Sequence, residues 1–150
     1  MSGKAWWRRA IRCSVFAWSV FAIAEVNPQQ KLERQFQSAV AQYNSGQYAE
    51  AAAQLEALLP RVPNNFEIEE LLGLTYSSLS QDSKAIEHLE AAVRLKPGSA
   101  SARTNLAASL SHSGATELAG VQFRKALDLE PRDYTANHNL GEFYIQSGKI

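Results

Sequence analysis

His88, His112, His138, the carboxylates Glu67, Glu69 and Glu70, and the single cysteine Cys13 are the residues that could support acid–base, metal or nucleophilic chemistry. General acid–base catalysis needs a histidine held against a second polar group, and a metal site needs ligands converging from one helix face. None of the three histidines stands four residues from another, so no pair is stacked on one helix turn. The three glutamates fall at the start of a helical stretch, where favourable interaction with the helix dipole accounts for them. One cysteine provides no intramolecular disulfide and no cysteine-rich zinc site. No phosphate-cradling glycine loop, H-E-x-x-H or G-x-S-x-G occurs. The expectation is a non-enzyme with no catalytic residue, no metal and no cofactor.

Elements that would position these residues follow from a repeat. Pro63, Pro97 and Pro131 are evenly spaced, and the same interval relates Ala51, Ala85 and Ala119. It also relates Leu55, Leu89 and Phe123, then Leu59, Val93 and Leu127. The series Gly46, Ser80, Gly114, Gly148 and Ala39, Gly73, Ala107, Gly141 extend it, with Leu72, Leu106 and Leu140 beside them. A fixed period of about 20–50 residues marks a stacked repeat architecture. Apolar spacing within a unit predicts two helices, about 66–80 and 83–95 in the second copy. Asn64 with Glu67 is expected to form a capping box, and Ser99 and Asp133 to cap later units. Small residues at Gly73 and Ala85, and at Ala107 and Ala119, let paired helices approach, while the prolines end each second helix.

The first residues differ from the rest. Lys4, Arg8, Arg9 and Arg12 precede the uncharged run Cys13–Ala24, which ends Ala22-Ile23-Ala24. A basic start, a short apolar middle and an A-x-A end compose a secretory signal peptide. Residues 1–24 are therefore expected to be a cleaved signal, 25–31 a short linker, and 32–150 the repeat array. Export to a periplasm or to the outside follows; the alternative is a membrane anchor formed by 13–24. Such an anchor is short, because twelve residues cover roughly 18 Å of a ~30 Å hydrocarbon core. The neutral total charge excludes a nucleic-acid binder recognised by net charge. It hides an imbalance, since eleven basic residues face fifteen acidic ones after Ala24.

Leu72-Gly73-Leu74-Thr75-Tyr76, Ala85, Leu89, Ala92 and Pro97, with Leu140-Gly141-Glu142-Phe143-Tyr144, make the chain similar to the tetratricopeptide repeat family. The resemblance implies an all-α fold: a right-handed superhelical stack of antiparallel helix hairpins, about three and a half repeats (32–65, 66–99, 100–133 and a partial 134–150). Departures are Gln35, Glu69, Arg103 and Asn137 at the family's frequent tryptophan, and Gln42 at a large apolar position. Pro60 is expected to shorten the second helix of the first repeat. The resemblance also implies a concave groove for a protein or peptide partner, with no nucleic acid and no small-molecule substrate. Its groove positions are Phe36, Val40, Tyr43 and Asn44, then Glu70, Leu74 and Ser77. Thr104, Ala108 and His112 follow in the third repeat, and His138, Glu142 and Ile145 in the fourth.

Family members that grip a chaperone's C-terminal carboxylate use Lys, Arg and Asn in the groove. Here Phe36, Val40, Glu70, Leu74 and Thr104 stand there, so that activity is not expected. The function expected is a scaffold or adaptor in the cell envelope. The alternative is the amino-terminal repeat arm of a larger protein whose catalytic domain lies beyond residue 150. A third reading is self-association through the open fourth helix, whose Leu140, Phe143, Tyr144 and Ile145 spread apolar side chains over more than one face. The unit that breaks off after Gly148 is read as part of a longer array.

Overall fold

The computed structural model describes residues 27–132, 134–146 and 148. The expected signal, residues 1–24, lies outside them. The described residues form seven helices in order: α1 (Pro28–Asn44), α2 (Tyr48–Leu58), α3 (Phe66–Ser78), α4 (Asp82–Leu95), α5 (Ala100–His112), α6 (Thr116–Leu129) and α7 (Tyr134–Gln146). The described residues contain no strand. They pair as three hairpins, α1/α2, α3/α4 and α5/α6, with α7 packed after the last.

Local chemistry accounts for the helix starts. Asn27 accepts from the Gln29 amide at 3.0 Å ahead of Pro28, whose fixed φ suits a first helical residue. The array thus begins inside the segment expected to be linker. At α3 the cap is Asn65, whose Oδ1 accepts from the Ile68 amide at 2.9 Å. The expected Asn64 instead sits at φ +58°, a turn conformation that places the next residue at the helix start. Ser99 caps α5 as expected, at 3.2 Å from the Ala102 amide. Asp133 lies outside the described residues.

Inside each hairpin one turn recurs. Gly46, Ser80 and Gly114 have φ of +79°, +55° and +84°. The amide after each returns to the carbonyl five residues back: Gln47 to Gln42 at 2.9 Å, Gln81 to Tyr76 at 2.9 Å, Ala115 to Leu110 at 2.8 Å. This is the left-handed helix stop that satisfies otherwise orphaned carbonyls. Ser80 adopts it without glycine's freedom, so the repeat imposes the turn on the residue. Among the second helices, α2 stops at Leu58, just ahead of Pro60, and is the shortest.

The core runs through the stack. Leu55, Leu58, Ile68, Leu72 and Tyr76 join the first two hairpins, and Leu89, Leu106, Leu110, Phe123 and Phe143 join the rest. Full burial of each such side chain is worth about 1.5–3 kcal/mol. The small column works by proximity: a Cβ on Gly73 would stand 2.4 Å from Leu89 Cγ. Ala100, Ala126 and Ala136 form a small-residue contact of their own between α5, α6 and α7.

Polar residues replace the tryptophan column with latches. Arg103 donates to the Pro97 carbonyl at 2.9 and 3.1 Å, and Asn137 to the Pro131 carbonyl at 3.1 Å. Glu69 pairs with His88 Nδ1 at 2.7 Å, and Gln35 accepts from Arg61 at 2.8 Å. Each ties a first helix to its own hairpin partner or to a flanking loop.

Candidate functional site

First helices approach one another along the stack, α1 to α3, α3 to α5 and α5 to α7, whereas α2, α4 and α6 make no such contacts among the described residues. The first helices therefore line the inner, concave side, and the second helices splay outside. This geometry follows from pairing each first helix with both the preceding and its own second helix.

The concave side is not one uniform trough. At its amino-terminal end, a cleft of about 400 Å³ opens between α1 and α3. Leu32, Phe36, Leu58, Val62 and Ile68 form its apolar walls, and Glu33 and Glu67 stand beside them. At the other end, a cleft of about 350 Å³ between α5 and α7 is lined by Ala108, His112, Asn139 and Glu142 over Phe123 and Phe143. Between these two, the α3/α5 seam is laced shut. Ser77 and Ser109 share a hydrogen bond of 2.6 Å, and Ser101 donates to Glu70 at 3.0 Å.

The expected groove residues fall into distinct surroundings. Phe36 lines the first cleft while also packing on the core. Ala108, His112 and Glu142 are brought together in the second. Val40 and Leu74 are half-buried, and Asn44 is exposed. Tyr43 meets Tyr48 edge-on at 5.4 Å across the first hairpin. Glu70 and Ser77 belong to the seam, and Thr104 is buried at 3 % exposure with its hydroxyl unpartnered among the described residues. His138 lies 3.6 Å from Glu142, and Ile145 is 67 % exposed. Sequence reasoning missed Glu33 and Glu67 as cleft residues. The signal was there: each stands three residues before a groove position, Phe36 and Glu70, on the same helix face.

Each histidine faces a carboxylate: His88 the half-buried Glu69, His112 Asp82 at 2.9 Å, and His138 Glu142. His88 also stacks on Tyr76 at 5.6 Å. Burial, then the hydrogen bond to Glu56, pushes the Tyr76 phenol above its ordinary value, and Lys84 opposes that shift. The phenol therefore stays a donor near neutral pH and serves to tie α3 to α2. No three metal-ligating side chains converge, and no helix is long and apolar enough to cross a membrane, among the described residues.

Residues 36–100 match the family model described as tetratricopeptide repeat. No curated protein matches the sequence. Among solved structures, MamA from Desulfovibrio magneticus is similar at 26% identity and a TM-score of 0.75, over 78% of this chain and 66% of that one. An O-GlcNAc transferase mutant from Thermobaculum terrenum is similar at 28% identity and TM-score 0.72, over 77% of this chain and 22% of its own. The first repeat domain of Spaghetti, bound to an HSP90 peptide, shares the fold at 20% identity and TM-score 0.75, over 79% of this chain and 94% of that one. This chain thus spans about two thirds of MamA and about a fifth of the transferase. Residues 36–100 thus match the tetratricopeptide repeat, and the described helices stack as in these repeat structures.

Proposed function

We propose that this chain is an exported interaction module that binds a segment of another protein along the concave face of its first helices, as a scaffold or adaptor in the cell envelope. The observation that carries the binding reading is the pair of open clefts at the two ends of that face. A partner that bridges them would lie across Val40, Leu74 and Ala108, with affinity concentrated in a few anchors such as Phe36. The Spaghetti repeat domain, bound to a peptide, is an example of the same fold in such use. Export rests on the tripartite start, Lys4 to Ala24.

Capture of a partner from an envelope extract tests the binding reading: Leu74→Glu and Phe36→Ala should each weaken it. Equal capture by wild type and both variants would remove the groove from consideration. Amino-terminal sequencing of the chain recovered from cells should begin at Glu25, and a start at Met1 would overturn export.

A second reading, a repeat arm of a larger enzyme, is favoured by one observation. More than three quarters of this chain matches about a fifth of the transferase. An open coding frame past Ile150 leading into a new domain would support it, and an immediate stop codon would remove it.

A further inference from the structure

The two clefts differ in chemistry, and so do the charges around them. The α1/α3 cleft has an apolar floor of Leu32, Phe36, Val62 and Ile68, with a volume that admits an aliphatic or aromatic side chain. Glu33 and Glu67 line the same cleft. Glu33 accepts one hydrogen bond, from Gln37 on its own helix at 2.8 Å, and Glu67 has no polar partner among the described residues.

Further along the concave side stand Glu70 and Glu142, and none of the groove positions or cleft-lining residues is Lys or Arg. The basic residues of the described first helices are Lys31, Arg34 and Arg103. At about 100° per residue, Lys31 and Arg34 lie roughly 140° or more around α1 from Phe36. Arg103 is turned to the Pro97 carbonyl and to Gln122 at 3.1 Å. A ligand carboxylate would meet carboxylates here, whereas a ligand cation would meet two glutamates beside an apolar pocket. The acidic excess after Ala24 acts in the same direction at longer range.

We infer that the α1/α3 cleft takes a basic, apolar segment of a partner protein: one aliphatic or aromatic side chain seated among Leu32, Phe36 and Ile68, with Lys or Arg beside it facing Glu33 and Glu67. This rests on the groove reading above and adds the partner's chemistry to it. The apolar insertion supplies affinity, and the two carboxylates select the sign of charge.

The test is fluorescence anisotropy of the purified full chain with two labelled peptides. One carries a central Leu-Phe pair flanked by Lys and Ser, and the other has Glu in place of every Lys. The Lys peptide should bind and the Glu peptide should not. Glu33→Gln and Glu67→Gln should each weaken binding about two- to fivefold, as partly exposed ion pairs do. Both are surface changes that leave the apolar floor intact. Raising salt from roughly 50 to 500 mM should weaken the wild type more than the double variant, because screening acts on the charges removed.

Equal binding of the two peptides, or indifference to both glutamine variants, would overturn the inference. So would self-association of the chain that the double variant abolishes, which would assign the cleft to a second copy. Preference for the Glu peptide, lost in Leu74→Glu, would overturn the charge assignment while leaving the groove reading standing. A partner captured from the extract irrespective of Phe36→Ala and Leu74→Glu would remove both.

Discussion

Gly73 and Gly141 occupy the same column of the repeat and meet opposite surroundings. A Cβ on Gly73 would stand 2.4 and 2.7 Å from two atoms of Leu89 and 3.3 Å from the Ala85 carbonyl. A Cβ on Gly141 would meet nothing within 4 Å. The α3 face is closed by α4, whereas the corresponding face of α7 is not covered by any described helix, and Tyr134 and Ile145 are 80 % and 67 % exposed. A repeat pattern therefore specifies a position, while the neighbour in the stack decides whether that position bears load.

The largest effect expected from this contrast is at Gly73. Gly73→Ala must displace Leu89, which is fully buried, and press against the α4 backbone; overpacking of this kind costs about 1–3 kcal/mol and outweighs the roughly 0.8–1 kcal/mol that alanine gains over glycine in a helix interior. Urea denaturation should show a lower midpoint with an unchanged slope. An unchanged midpoint would mean that the α3/α4 contact is looser than the distances indicate.

A second contrast runs between Tyr76 and Gln42, again one column. Tyr76 is buried and its phenol is bonded to Glu56, with Lys84 Nζ at 3.3 Å. Gln42 places a buried amide oxygen that has no hydrogen-bond partner among the described residues. A buried polar atom left unpaired is costly, so Gln42→Leu should raise stability by about 1 kcal/mol. The same denaturation experiment reads it. A loss instead of a gain would show that the amide is satisfied in solution.

Much of this was legible from one dimension. The evenly spaced columns carried the helix pairs and the proline stops, because spacing alone sets these within a repeat. The cap at α3 slipped from Asn64 to Asn65, since adjacent asparagines differ only in which one the turn at φ +58° sets against the helix. The start at Pro28 was hidden by the polar run that follows it. Of the groove, the face was readable, yet its division was not. Ser77 with Ser109, and Glu70 with Ser101, close the centre through contacts more than thirty residues apart. Glu67 read as a dipole partner although it stands one turn before Glu70 on the same face; what its spacing did not show is the cleft itself, completed by Phe36 of α1 and Leu58 of α2.

The smallest expected effect is also the most discriminating. Glycine in a helix interior is less favourable than alanine by about 0.8–1 kcal/mol. With open space around its Cβ, Gly141→Ala should therefore stabilise the chain by up to that amount, opposite in sign to Gly73→Ala. The sign reports what lies against α7 in solution. If a second copy or a further helix covered that face as α4 covers α3, the added methyl would meet a side chain as it does at Gly73, and the gain would turn into a loss. Measuring Gly141→Ala across a range of protein concentrations separates these cases. A gain independent of concentration leaves α7 exposed to water, whereas a loss that grows with concentration places a second copy on it.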